Sequence, residues 1–249
     1  IADRDLQSAH AGKRVYDMIG GKAVLGLLAA RGGSKGVPCK NLRKIGGKSL
    51  LAWSVEAGKQ SHCIDRLILS TDDEEIVEAG RQLGCEVPFV RPANLATDEA
   101  KSIEVVRHAL NSLPEKFDYL VLLQPTSPLR TANDIDRCVE LCYQKKAPAC
   151  VSITESEKTP HWMYELLEDH RMRPVLPETE VLTRRQDFPQ TYTLNGAVFV
   201  ARADWISQND FLGPDTIGYK MPRARSIDID TETDLLLADT ILREMDRFC

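Results

Sequence analysis

Residues 23–42 read AVLGLLAARGGSKGVPCKNL, and the fold turns on how this stretch is read. Its first seven residues, Ala23–Ala29, form a continuous apolar run, the pattern of a strand buried on both faces. The next stretch is polar and loose. Gly32, Gly33 and Gly36 fall within five positions, with Arg31, Lys35 and Lys40 alongside. Glycines let the backbone turn tightly and present its N–H groups, and the basic side chains add charge, so the loop suits a polyphosphate. Taken alone, a Gly/Lys loop reads more simply as a surface turn with solvated lysines. Its place directly after a buried strand favours a ligand. Spelling excludes two common nucleotide loops. Gly47-Lys48-Ser49 supplies the tail of a G-x-x-x-x-G-K-[ST] loop, but Leu42 stands where the first glycine is needed, and no G-x-G-x-x-G occurs here.

Outward from this stretch, strand and helix signals alternate. Helical patterns are expected over Ser49–Gln60, Asp73–Leu83 (stopped by Gly84), Ser102–Leu113 and Asn133–Gln144. Strands are expected at Arg66–Ser70, Glu86–Arg91, Asp118–Leu123 and Ala149–Ile153. Such alternation means βαβ units: an α/β protein with a Rossmann-like, three-layer, mainly parallel sheet that takes ligands at the C-terminal ends of its strands. Residues 154–192 break the rhythm, being rich in proline and charge with short possible strands such as Trp162–Leu167, and read as an inserted arm. Regular elements return at Asn195–Ala201 and Ser226–Ile229. A final helix runs from about Thr231 to Asp246, opening on a Thr231-x-x-Asp234 capping pattern with Leu235, Ala238, Leu242 and Met245 on one face. The expected organisation is an N-terminal extension of unassigned role (1–22) and one domain (23–249) carrying the 154–192 insertion.

The chain of 249 residues is 43% hydrophobic and 28% charged, which fits a globular protein. No apolar run approaches 18 residues and the N-terminus has no continuous apolar core, so neither a membrane span nor a signal peptide is expected. The net charge of −5 argues against a nucleic-acid coat. The charge is uneven, however. Residues 18–55 hold seven Lys/Arg and no Asp/Glu, leaving the rest at −12. The seven cysteines include no C-x-x-C pair, and reduced thiols in the cytoplasm are the simplest reading.

Two further motifs carry chemistry. Gln124-Pro125-Thr126-Ser127-Pro128-Leu129-Arg130 follows a strand; its prolines stiffen a loop with neutral polar side chains, suited to a hydroxylated sugar or simply to a turn, with Arg130 available to an acid. In Asp228-Ile229-Asp230, a strand would put both carboxylates on one side and Ile227 and Ile229 on the other. With phosphate oxygens the pair would suit Mg²⁺. Alternatively, Asp230 caps the last helix and Asp228 is solvated.

LLAARGGSKGVPCKNL (27–42) resembles the signature of the acylneuraminate cytidylyltransferases, or CMP-sialic acid synthetases, a family that includes enzymes acting on legionaminic and pseudaminic acids. The resemblance continues in order through STDDEEI (70–76), RPANLATD (91–98), LLQPTSPLR (122–130), RRQDFPQTYTLNGAVFV (184–200) and SIDIDTETDLLLAD (226–239), covering about residues 23–242. It implies a fold of the nucleotide-diphospho-sugar transferase type with a dimerisation arm. It also implies CTP and a nonulosonic acid as substrates, a homodimer whose arm completes the partner's site, and no nucleic acid or membrane partner. Arg31, Gly32, Gly33, Ser34, Lys40 and Asn41 match the nucleotide loop, and Arg91, Thr97 and Ser102 lie in the region that lines the cytosine pocket, although Thr97 and Ser102 read equally well as a helix-capping loop. By the same resemblance Gln124, Thr126, Ser127 and Asn195 belong to the sugar side. Arg185, with Arg184 second, would clamp the sugar carboxylate. Arg31, Lys40, Asp228 and Asp230 would be catalytic, the two aspartates holding Mg²⁺. His161, in the arm, is given a packing role. The alternatives are a sugar nucleotidyltransferase using another nucleotide or keto-acid, and a non-catalytic nucleotide- or sugar-binding regulator.

Overall fold

In the computed structural model, residues 19–34, 36–176 and 188–245 are described. The apolar run forms β1 (Val24–Ala29), at the centre of the parallel part of the sheet. After the glycine loop come a small hairpin, β2 (Lys44–Ile45) and β3 (Lys48–Ser49), then α1 (Leu50–Gln60), β4 (Arg66–Ser70), α2 (Glu74–Gln82), α3 (Ser102–Asn111), β5 (Tyr119–Leu123) and α4 (Ala132–Gln144). The second half supplies β6 (Ala149–Glu155), the arm hairpin β7 (Tyr164–Leu166) and β8 (Met172–Pro174), β9 (Tyr192–Arg202), α5 (Ala203–Ile206), β10 (Ile217–Lys220) and α6 (Glu232–Met245).

The main sheet has the order β10-β6-β9-β5-β1-β4. β1 pairs in parallel with β4 and β5, so that Leu27 faces Ile68 on one side and Leu122 on the other, and β10 runs parallel to β6. β9 is antiparallel to both β5 and β6. The sheet is therefore mixed but mostly parallel. Its strands alternate between two cores. Val24, Leu28, Val121 and Leu123 pack with Leu51, Val55, Ile135 and Val139 on one face. Leu25, Leu27, Leu120 and Leu122 pack with Ile103, Val106 and Ile206 on the other. This two-sided burial is why the strands read as unbroken apolar runs. Ile19 joins the first core and Lys22 pairs with Asp118, so the end of the N-terminal stretch packs against the domain.

The helix caps follow the sequence. Ser49 caps α1, Asp73 caps α2, and Thr131 with Asp134 forms a capping box on α4. Two expectations are corrected. Residues 86–91 form no strand; Glu86 makes one bridge to Ile68, and Pro88, lacking an N–H, cannot extend the ladder. Ser226–Ile229 is not in the sheet either. The chain leaves the sheet after β10 at Pro222 and crosses the strands' C-terminal ends, where the Ile229 N–H bonds to the Thr126 carbonyl at 2.8 Å. β10 itself, a half-exposed four-residue edge strand, carries too little periodicity to be read beforehand.

A third apolar cluster sits at that crossing: Val37 from the glycine loop, Ile45, Leu50, Leu129, Ile229, and Leu235, Ala238 and Leu242 from α6. It joins the first loop to the last helix beneath the crossing segment. Ile229 is fully buried there, which is worth about 1.5–3 kcal/mol. Ile229→Ala should therefore cost about 2–4 kcal/mol in denaturant unfolding. A cost below about 1 kcal/mol would show that the crossing segment is held by other means.

Candidate active site

At the C-terminal ends of β1, β4 and β5 lies a cavity of about 440 Å³. The glycine loop lines it with Arg31, Gly33, Ser34, Lys40 and Asn41, the stretch after β4 adds Arg91, Thr97 and Ser102, the loop after β5 adds Gln124 and Thr126, and the crossing segment adds Asp228 and Asp230. These expected residues, far apart in sequence, thus share one cleft.

Two glycines make the meeting possible. A Cβ on Gly36 would run into the Asp230 carbonyl, so only glycine lets the first loop lie against the crossing segment. Gly196, with a left-handed φ of 71°, sits between acceptor loop and acid pair: its Cβ would stand 2.9 Å from both Gln124 Oε1 and Asp228 Oδ2. Lys40 fastens the same junction, its Nζ donating to the Ile229 carbonyl at 2.7 Å and to Asp230 Oδ1 at 3.0 Å.

The aspartates alternate as expected even without a strand, both toward the cleft with Ile229 buried beneath. Asp230 does not cap α6; Thr231 does, exchanging bonds with Asp234. The Asp230 side chain is 75% exposed. Asp228 is solvent-accessible through the cleft mouth, yet densely surrounded by protein. That desolvation, with the charges of Asp230 and Asp234, pushes its carboxyl above the usual range, against a hydrogen bond from Thr126 and the charge of Lys40. Among the described residues no three His, Cys, Asp or Glu side chains form a metal cluster. The Asp228 and Asp230 carboxylates, both on the cleft, could hold a hard cation that takes oxygen ligands.

The basic groups are individually placed. Arg31 pairs with Asp98 at 2.5 Å, a partner the sequence did not single out. The Gly32 N–H is taken by Asp72 at 3.1 Å, and Gly32 does not line the cavity. Asn41 lines it but spends its amide on the Arg31 carbonyl, bracing the loop. Arg91 is buried, donating to the carbonyl and hydroxyl of Ser70. Burial and nearby Arg31 pull its guanidinium down to about 10 against the opposing charge of Asp72.

Two sugar-side expectations are corrected. Ser127 is fully buried and donates to the Asn195 carbonyl. The Asn195 side chain, also buried, accepts from Ser152 and donates to Ser226. Both brace the wall behind the cleft because their polar groups are already satisfied. Among the described residues Arg130 meets no acid at contact distance: it is buried, gripping the Gln124 and Ala197 carbonyls and Ser54, with desolvation lowering it to about 10. It thereby holds Gln124 in place, a role a lone loop arginine does not signal. Lys35, Arg184 and Arg185 lie outside the described residues.

A basic glycine loop facing a carboxylate pair across the C-terminal ends of a mostly parallel sheet defines a nucleotidyltransferase. The comparisons with known proteins specify which kind: the family model described as cytidylyltransferase matches residues 25–200, and the chain belongs to that family. It is 32% identical to a CMP-N,N'-diacetyllegionaminic acid synthase of Legionella pneumophila, over 88% of this chain and 96% of that one. It is 34% identical to an N-acylneuraminate cytidylyltransferase of Escherichia coli O18:K1:H7, over 90% of this chain and 53% of that longer protein. A solved structure of CMP:2-keto-3-deoxy-manno-octonic acid synthetase complexed with CTP shares the fold, with a TM-score of 0.69 and 14% identity, covering 90% of this chain and 100% of that one.

Gly196→Ala forces a methyl between Gln124 and Asp228 and strains the backbone by about 1–2 kcal/mol. Turnover should fall by about two orders of magnitude, as for an ångström-scale misplacement, while thermal unfolding moves by only a few degrees. Initial rates of pyrophosphate release check this, and wild-type rates in the variant would remove Gly196 from the site.

Proposed function

We propose that the chain transfers CMP from CTP to the anomeric hydroxyl of a nonulosonic acid, N-acetylneuraminic acid or a relative, giving the CMP-sugar and pyrophosphate. The observation that carries this reading is the single cleft in which Arg31 and Lys40, Gln124 and Thr126, and Asp228 and Asp230 meet. The hydroxyl oxygen bonds to the α-phosphorus as its proton passes to solvent, the bond to the bridging β-phosphate oxygen breaks, and pyrophosphate leaves. Negative charge grows on that leaving group. Arg31, Lys40 and Ser34 would stabilise it, with the Gly33 backbone alongside. Arg91 and Thr97 border the base side. Gln124, held from behind by Arg130, and Thr126 orient the acceptor, and Arg184 or Arg185 clamps its carboxylate. Asp228 and Asp230 would hold Mg²⁺, which when bound neutralises phosphate charge and polarises the attacked phosphorus.

The arm supports a homodimer. β7, β8 and their flanks expose Trp162, Met163, Tyr164, Leu166, Met172 and Val175, and the outer end of β9 exposes Tyr192 and Leu194. So many exposed apolar side chains call for a partner, and a second copy of the arm would provide a matching set. His161 stacks on Phe188 within this arm, as its packing role requires. Among the described residues no helix is long and apolar enough to cross a membrane, and their six cysteines are free, which supports a cytoplasmic location.

Mixing the protein with each nucleoside triphosphate and with sialic, legionaminic and pseudaminic acids in turn tests the reading. CTP-dependent pyrophosphate release with at least one acid is expected, and activity with another nucleotide but not CTP refutes it. Asp228→Ala should abolish turnover with the fold intact, and near-normal turnover at limiting Mg²⁺ would sink the metal assignment. Arg31→Ala should weaken CTP handling by about 10²-fold or more, the scale seen for removal of one charge-stabilising donor. Unchanged CTP affinity and turnover would take it out of the site. Leu166→Asp with Met172→Glu should yield a monomer in light scattering, and a persistent dimer would place the interface elsewhere.

A further inference from the structure

The crossing segment has no sheet ladder, yet it must present two carboxylates with the precision a cation needs. Its downstream half is well fixed by Ile229 burial, by Lys40 and by Gly36. Its upstream end depends on a different contact. Arg225 reaches Asp134 with both arms of its guanidinium, Nε to Oδ2 at 2.9 Å and Nη2 to Oδ1 at 2.8 Å. Asp134 is fully buried at the N-terminus of α4, where Oδ2 also accepts the Thr131 N–H at 3.0 Å and hydroxyl at 2.8 Å. The Tyr219 hydroxyl of β10 lies 3.4 Å from Oδ1. Burial alone would raise this carboxyl, but Arg225 and Thr131 outweigh it and hold it below the usual range.

A buried ion pair is weak support for stability, because the desolvation of both charges offsets much of their attraction. What a forked, two-bond arginine contact adds is geometry. The helix it grips begins directly after the Gln124–Arg130 loop. Arg225 stands three residues before Asp228, with only Ser226, bonded to Asn195 at 2.9 Å, and Ile227 between. The acceptor loop and the acid pair are therefore referenced to one buried carboxylate.

We propose that Arg225, clamped on Asp134, is a positioning residue for the Asp228–Asp230 pair: it fixes Asp228 relative to α4 and so sets the site's affinity for a nucleotide-bound divalent cation. This rests on the reading of that pair as the metal site. Outer-shell partners of metal ligands typically control affinity by about 10- to 100-fold.

The test is CTP binding by calorimetry on the full chain, without acceptor, once with Mg²⁺ and once with EDTA. The readout is the gain in CTP affinity that Mg²⁺ confers. Wild type should show a clear gain. Arg225→Ala should cut it by about ten-fold while leaving CTP affinity in EDTA unchanged. Arg225→Lys, which keeps the charge beside Asp134 but loses the fork, should fall between. Because Arg225→Ala strands a buried carboxylate, the double variant Arg225→Gln with Asp134→Asn keeps the fold testable, and it should lose the gain too. A merely structural role would lower the unfolding temperature and leave the gain intact. An unaltered gain, within two-fold, in either folded variant overturns the proposal. A wild type that binds CTP equally with and without Mg²⁺ overturns the metal reading first, and this inference falls with it.

Discussion

The site depends on one lysine. Lys40 Nζ reaches from the first loop to the far end of the chain, donating at 2.7 Å to the Ile229 carbonyl and at 3.0 Å to Asp230. The two contacts differ in kind. The Asp230 side chain is 75% exposed, so its ion pair with Lys40 is screened and worth little by itself. The bond to the backbone carbonyl is better sheltered and is backed by the burial of Ile229. The crossing segment is thus anchored through its backbone and its apolar residue, and the Asp230 carboxylate is not needed for the anchoring. A carboxylate not needed for the fold is the one that can turn to a cation.

The same junction resolves the charge pattern. Seven basic residues crowd positions 18–55 in a chain of net charge −5. Like charges on a single loop repel, and so do Asp228, Asp230 and Asp234 at the other end. Folding sets one group against the other through Lys40 on Asp230, and it pairs Arg31 with Asp98. The basic island is therefore already partly neutralised by the protein's own carboxylates. A triphosphate entering the cleft would exchange with Asp98 for Arg31, and a cation arriving with it would offset the acidic pair.

Much of this was legible in the sequence because its signals are local. β1 and β5 are apolar throughout because both faces are buried, and Ser49, Asp73 and Thr131 announce the helices they cap. The cleft residues were found because the motif order is a family's order, not because spacing dictates a cleft. Pairings across the chain left no local trace. Nothing near Arg31 points to Asp98, and nothing near Arg225 points to Asp134. The resemblance puts Ser127 and Asn195 on the sugar side, whereas burial shows them satisfying a neighbour's carbonyl or hydroxyl. The strand assigned to Ser226–Ile229 was wrong for an instructive reason. Alternating burial of Ile229 between two cleft-facing aspartates imitates a strand, although the partner surface is the third apolar cluster and not a neighbouring strand.

Gly196 shows how recognition must be divided. It lies where the acceptor loop meets the acid pair, with room for no side chain between Gln124 and Asp228. On the proposed function, the groups that converge there would meet the reacting end of the sugar, where nonulosonic acids share a carboxylate and an anomeric hydroxyl. This junction therefore favours the reaction without choosing among such acids. Discrimination has to come from side chains reaching the distal carbons. On the proposed function, the residues that would perform the transfer sit at the rigid sheet ends, so the choice of sugar would fall to elements outside this junction, free to vary without disturbing the chemistry.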